Sequence, residues 1–307
     1  MSSTSQTLLS LSPITIPSGR ALAAIQLFNA VAADPTTGPS VDDVKSFERQ
    51  GVKYWQPGDP NPDKYDLVNI LIKNNYDAWK KILDNQFCKS MASTGIPEFG
   101  IPEHGMPEGL PTYDKVLEGF KYYTVQDYKY CVQLLRYDAE RMSKTKEEKR
   151  LLEMADRISG DLSYVQIVKQ TCTDTLGIKE DVVNAVNPEA ASTKYSELEF
   201  EAAETQDWII SLVALIPCFQ VYYKIATDIL STKPFPDPRT PWYNHWILPN
   251  SDAEVKEACI DQINFFKAAQ IDWENDKRLP DLGKIFTDAC NHEVEFFGFG
   301  ENPRQNL

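Results

Sequence analysis

The sequence predicts an all-α protein. Beyond residue 63, apolar residues recur at three- and four-residue steps, and runs of strict apolar/polar alternation are scarce. The Asn-Gly and Asp-Gly pairs that close tight hairpins do not occur. No internal period of roughly 20–50 residues is visible, which excludes solenoids.

The elements follow in order. Leu67, Ile70, Leu71, Trp79, Ile82 and Leu83 mark a first helical stretch. Val116, Leu117, Phe120, Tyr123, Asp127, Tyr130, Leu134 and Leu135 mark a second. A third carries Leu151, Leu152, Ala155, Ile158, Leu162, Val165 and Val168, a stripe expected to face the core. Three more helices are expected near 205–231, 252–275 and 281–297. Breakers separate them: Gln56 to Pro62, a Pro- and Gly-rich loop over 95–111, and the proline-rich connector 233–241. The organisation expected is an irregular N-terminal extension over 1–63 and one helical domain over 64–307.

Of the 307 residues, 45 are acidic and 31 basic, a formal charge of −14. Such a field repels phosphate backbones and anionic lipid, so nucleic acid and membrane surfaces are not expected partners. No apolar run reaches the length of a membrane span. The six cysteines are widely spaced with no Cys-x-x-Cys pair, as in a reduced, cytoplasmic protein. Three histidines without ligand spacing predict no metal. Residues 1–33 hold no acid and a single base, Arg20, and read as a loosely docked tail, with a transit peptide as the alternative.

Three residues do not behave like core. Phe120, Tyr123, Asp127 and Tyr130 share one helix face, so Asp127 either bridges to a neighbouring helix or orients a ligand among aromatics. Pro217, read inside a 205–231 helix, is expected to kink it and re-aim Cys218, which is either an inert buried thiol or a nucleophile. Phe286, Glu293, Phe296 and Phe297 share a face, so Glu293 is either solvated at an edge or a desolvated acid/base.

Taken together these stretches resemble the thiaminase-II (TenA) family. The resemblance rests on Phe120-x-x-Tyr123-x-x-Gln126-Asp127-x-x-Tyr130, on Leu215-Ile216-Pro217-Cys218 leading to Tyr222-Tyr223, on Tyr243-x-x-Trp246, and on Glu293-x-x-Phe296, across about 115–300. It implies a haem-oxygenase-like helical bundle that hydrolyses an aminopyrimidine without a cofactor. By that resemblance Cys218 adds to the ring, Glu293 shuttles the ring-nitrogen proton, Asp127 holds the exocyclic amine and Tyr130 supports the nucleophile. Tyr195 and Tyr222 complete the implied pocket with Tyr123 and Phe120. A further family tyrosine falls on Asn250, and the usual Phe-Trp near the end is Phe296-Phe297. These departures keep two alternatives open: an enzyme for another small aromatic metabolite, or a ligand-binding protein without catalysis. A homotetramer or homodimer is expected from the family and from the aromatic content.

Overall fold

A computed structural model describes residues 51–97, 111–146, 148–205, 207–232, 236–274, 277–304 and 307. The expectations for residues 1–50 and for most of the 95–111 loop lie outside the described residues.

Every regular element among the described residues is helical. In chain order they are α1 (Leu67–Asn74), α2 (Tyr76–Leu83), α3 (Gln86–Ser93), α4 (Tyr113–Lys144), α5 (Glu148–Gln170) and a π turn over Thr171–Thr175. Then come α6 (Glu180–Ala185), α7 (Ala190–Glu204), α8 (Trp208–Ala214), α9 (Ile216–Ser231) and a second π turn, Tyr243–Ile247. The chain closes with α10 (Leu248–Ser251), α11 (Ala253–Ala268), α12 (Gln270–Trp273) and α13 (Leu279–Glu301). Side-chain caps start several of them: Asp66 accepts from the Asn69 N–H, Thr112 from Lys115, Asp207 from Ile209 and Ile210, and Asp252 from Val255. Each cap satisfies an amide that has no partner within its helix.

Helix α4 packs on α5, α7 and α13, and α13 also packs on α2, α8 and α9. These two helices therefore supply the centre of the bundle. The extended segment before α1 joins that core: Tyr54 is buried and its hydroxyl donates to Gln220 Oε1 at 2.8 Å.

Four sequence expectations change. The first apolar stretch is two short helices, because the Asn75 amide donates to the Leu71 carbonyl at 2.9 Å and closes α1. Pro217 does not kink a helix. Leu215 ends α8 and begins α9, which places Pro217 in the first turn of α9, where its missing N–H costs nothing. The stripe on α5 holds only in part: Val165 and Val168 are buried, but Leu152 and Leu162 are 63% and 47% exposed, while Arg157 and Asp161 are buried. The buried face places Arg157 Nε 2.5 Å from Asp138 Oδ1 on α4, a pairing that a buried cation requires. Finally, α7 is an element the periodicity does not announce.

The run Trp208–Ser231 is long and apolar enough to cross a bilayer, but Leu215 breaks it and 72% of its most apolar window is buried within the bundle.

Helices α4 and α13 touch at Gly119 and Gly300. A Cβ on Gly119 would run into the Gly300 carbonyl, and one on Gly300 into the Phe87 ring. Gly298, also on α13, has open space. Gly119→Ala should therefore destabilise by about 1–3 kcal/mol despite alanine's helix preference, whereas Gly298→Ala should stabilise by about 0.5–1 kcal/mol. Urea unfolding of the two variants checks both signs.

Candidate active site

The last helix carries Glu293 inward at 1% exposure. Its carboxylate is held by two phenols: Tyr195 of α7 donates to Oε1 at 3.0 Å and Tyr222 of α9 to Oε2 at 3.2 Å. Behind them the donors continue in one direction. Trp246 Nε1 donates to the Tyr123 hydroxyl at 3.2 Å, and Tyr123 donates to Tyr222 at 3.1 Å. Phe297 packs parallel to Tyr123, with ring centroids 5.9 Å apart and planes 7° apart, and lies 5.2 Å from Tyr222. Every hydroxyl in the chain thus has one orientation, and it ends on Glu293.

Tyr222 also lines a narrow cleft of about 50 Å3 together with Cys218, Tyr130, Asn250, Tyr164 and Asp161. Cys218 is partly buried in the first turn of α9. Its thiol donates to the Leu215 carbonyl at 3.1 Å. Asn250 donates its amide to the Trp246 carbonyl at 2.7 Å, which ties the cleft wall to the π turn.

Tyr130 connects the cleft to a second buried acid. Its hydroxyl donates to Glu199 Oε1 at 2.6 Å, and its ring stacks on Tyr195 at 5.3 Å. Burial pushes the Tyr130 phenol well above its ordinary range, and the neighbouring Glu199 adds to this. Glu199 is fully buried, and its Oε2 has no hydrogen-bond partner among the described residues. Burial holds this carboxyl far above the usual range, with Glu293 and Asp138 raising it further against the Tyr130 hydrogen bond.

The expected site residues fall into three groups. Cys218, Tyr130, Tyr222 and Asn250 share the cleft. Glu293, Tyr195, Tyr222 and Tyr123 share the hydrogen-bonded layer. Phe120 packs edge-on to Trp242, and Asp127 is buried next to Cys172, whose thiol it helps to raise after burial itself. Neither is among the cleft-lining residues. Sequence reasoning misses Trp246 as a donor, Glu199 and Asp161. Only Trp246 carried a signal, as part of Tyr243-x-x-Trp246. Among the described residues no group of three His, Cys, Asp or Glu side chains is placed to hold a metal ion.

Residues 113–300 match the TENA/THI-4/PQQC family. The chain belongs to that family. Its relatives include aminopyrimidine aminohydrolases of Bacillus subtilis (strain 168), 22% identical over 59% of this chain and 75% of that protein, and of Halalkalibacterium halodurans, 22% identical over 60% and 81%. Among solved structures, a TenA family transcription regulator from Silicibacter sp. TM1040 superposes with a TM-score of 0.61 at 19% identity, covering 80% of this chain and 99% of that one. A TenA homologue from P. horikoshii OT3 gives 0.60 at 20% identity, covering 76% and 97%. The bundle is the haem-oxygenase-like fold of the TenA family.

The raised carboxyl of Glu199 makes stability depend on pH. Its proton is held in the folded state and lost from the unfolded chain above the ordinary carboxylate range. The folded state therefore binds the extra proton, and stability falls with rising pH by up to about 1.4 kcal/mol per unit until the raised folded pKa is passed. Glu199→Gln removes that share. Urea midpoints measured at pH 5 and pH 8 should drop less in the variant than in the unmodified protein.

Proposed function

We propose that the protein is an aminopyrimidine aminohydrolase of thiamin salvage, a thiaminase-II-like hydrolase with Cys218 as nucleophile and Glu293 as acid/base. The observation that carries this reading is the meeting of both groups at Tyr222, which lines the cleft beside Cys218 and hydrogen-bonds Glu293. The aminohydrolases named among the relatives support it.

In this mechanism the Cys218 thiolate adds to a ring carbon while Glu293 delivers a proton to a ring nitrogen. Addition breaks aromaticity, so the ring electrons can expel a protonated amine as the neutral amine, or an azolium as the neutral azole, from the exocyclic methylene. Water adds to the methylene so exposed and gives one proton to the released amine or to solvent, Glu293 takes back the ring-nitrogen proton, and the thiolate departs as the ring rearomatises. Phenols suit Glu293 for this exchange because, unlike a cation, they do not lock it in the ionised form. Asp127 is assigned the exocyclic amine by the family motif, and Tyr130, whose hydroxyl is held by Glu199, lines the cleft with Cys218.

Asn250 favours a second reading, turnover of a different small aromatic metabolite. It stands on the cleft wall where the family pattern has a tyrosine, so a phenol and its hydrogen bond are replaced by a shorter amide. Incubation with aminomethyl-pyrimidine and with thiamin, followed by mass spectrometry of the products, separates the two readings. Turnover of neither by folded protein eliminates the first.

Cys218→Ser should lower kcat/KM at least about 1,000-fold with the unfolding midpoint unchanged, because a hydroxyl replaces the thiolate nucleophile. Asp127→Asn should raise KM by about 10- to 100-fold through loss of a charged acceptor. Glu293→Gln should lower kcat by about 100- to 10,000-fold and remove one limb of the pH profile. Steady-state kinetics with parallel unfolding curves checks all three. Loss of stability in place of activity in both acid variants would make the acids structural.

A further inference from the structure

Glu199 is completely inside the bundle, yet its carboxyl is only half satisfied. The Tyr130 hydroxyl lies 2.6 Å from its Oε1, and its Oε2 has no hydrogen-bond partner among the described residues. The groups facing it do not neutralise it. From α4 come Tyr130 and Asp138, and from α13 comes Glu293. Helix α8 carries no titratable side chain, His292 of α13 stacks on Tyr195, and Arg136 of α4 lies over the Phe200 ring. An ionised carboxylate with a bare oxygen and two further acids as neighbours is the costlier form, so the neutral acid is the one this site accommodates. Burial and the same two acids hold the carboxyl far above its usual range, which agrees.

A neutral acid changes what Tyr130 can do. The 2.6 Å contact holds one proton. While Glu199 is ionised that proton is the phenol's own, and Tyr130 offers the cleft lone pairs only. Once Glu199 carries a proton it can donate to the Tyr130 oxygen, and the phenol's O–H is released to a second acceptor. Cys218, on the same cleft wall, is in need of such a donor. As a thiol it donates to the Leu215 carbonyl; as a thiolate it faces that carbonyl without a proton. Tyr222 and Asn250, also on the wall, already donate to Glu293 and to the Trp246 carbonyl.

We propose that Glu199 is a positioning residue for the nucleophile, holding Tyr130 so that the phenol directs its own proton to the Cys218 sulfur. The inference rests on the reading of Cys218 as nucleophile and supplies what that reading lacks, a hydrogen-bond donor for the thiolate. No covalent bond is made or broken in this role. Each proton stays on its own oxygen, and only the direction of two hydrogen bonds is set. A donor to the charged form favours that form, so more of Cys218 is thiolate at neutral pH.

The test follows Cys218 itself, without substrate. The pH dependence of its alkylation by iodoacetamide is read by mass spectrometry of the Cys218 peptide from the full chain. Glu199→Met keeps the length and removes the donor, which leaves a buried lone pair on Tyr130 and no fixed direction for its proton. The Cys218 titration midpoint should rise by about half a unit to one unit, and kcat/KM for aminomethyl-pyrimidine at pH 7 should fall by about 3- to 10-fold. Tyr130→Phe should raise the midpoint equally, and the double variant no further. Glu199→Gln, which keeps an N–H for Tyr130, should return the midpoint to that of the unmodified protein. A midpoint unmoved by Glu199→Met, or a further rise in the double variant, overturns the role of Glu199. So does a lowered midpoint in Glu199→Gln, because it means that the acid is ionised near Cys218. Should Glu199→Met fail to fold, the other two variants decide: a midpoint lowered in Glu199→Gln or unmoved in Tyr130→Phe overturns the inference. An unmoved midpoint in an enzyme that turns over aminomethyl-pyrimidine sinks this inference alone. A raised midpoint in a protein whose unmodified form turns over neither aminomethyl-pyrimidine nor thiamin sinks the aminopyrimidine reading alone.

Discussion

The centre of the bundle is organised by the burial of one carboxylate. Glu293 sits among rings at 1% exposure, where an unsatisfied charge would cost several kcal/mol. Satisfying it with Tyr195 and Tyr222 commits both hydroxyls as donors. Tyr222 then needs a donor of its own and receives it from Tyr123, and Tyr123 in turn receives one from Trp246, which has only a proton to give. The direction of the chain is thus forced from its far end.

That polar chain is rigid because the rings carrying it are packed. Tyr123 and Tyr222 both rest on Phe297, and Tyr130 lies against Tyr195 and Phe296. The phenylalanine that departs from the family's Phe-Trp ending therefore remains a packing surface for two of the phenols. Cys218 is positioned by a different device. The chain breaks at Leu215 and restarts with Pro217 in the first turn, which brings the thiol to a helix N-terminus and into the cleft. The break, not a kink, accounts for its placement.

Legibility in the sequence follows from what fills each helix face. On α4 and α13 the buried face is aromatic and apolar, so its period announces both the helix and the acids embedded in it, Asp127 and Glu293. On α7 the buried face is Ser192, Tyr195, Ser196, Glu199, Ala202 and Ala203, which has no apolar stripe to read. Tyr195 could be placed only by counting from the Pro-Cys pair, and Glu199 could not be placed at all. On α5 the pattern misleads. The leucines look like core and two are exposed, because the ionic contact of Arg157 with Asp138 sets the rotation of the helix. Local periodicity records hydrophobic burial, and it cannot see a partner that lies nineteen positions away in the chain, as Asp138 does from Arg157.

The site is built in two layers that answer to different constraints. In the inner layer each member depends on the next for a hydrogen bond, so a change at Tyr123, Tyr195 or Tyr222 leaves a buried polar atom unpaired and costs stability as well as chemistry. The cleft wall is freer. Asn250 is tied only to a backbone carbonyl in the contacts described, and Val255 and Phe219 contribute surface rather than hydrogen bonds to a ligand. A residue there can shorten or lengthen without breaking the network around Glu293. The departure from the family pattern at Asn250 lies on this outer wall, which it shares with Cys218, whereas Glu293 and its two phenols lie in the inner layer. The outline of the cleft can therefore change while the hydrogen-bonded layer around Glu293 stays fixed, since the two share a single residue, Tyr222.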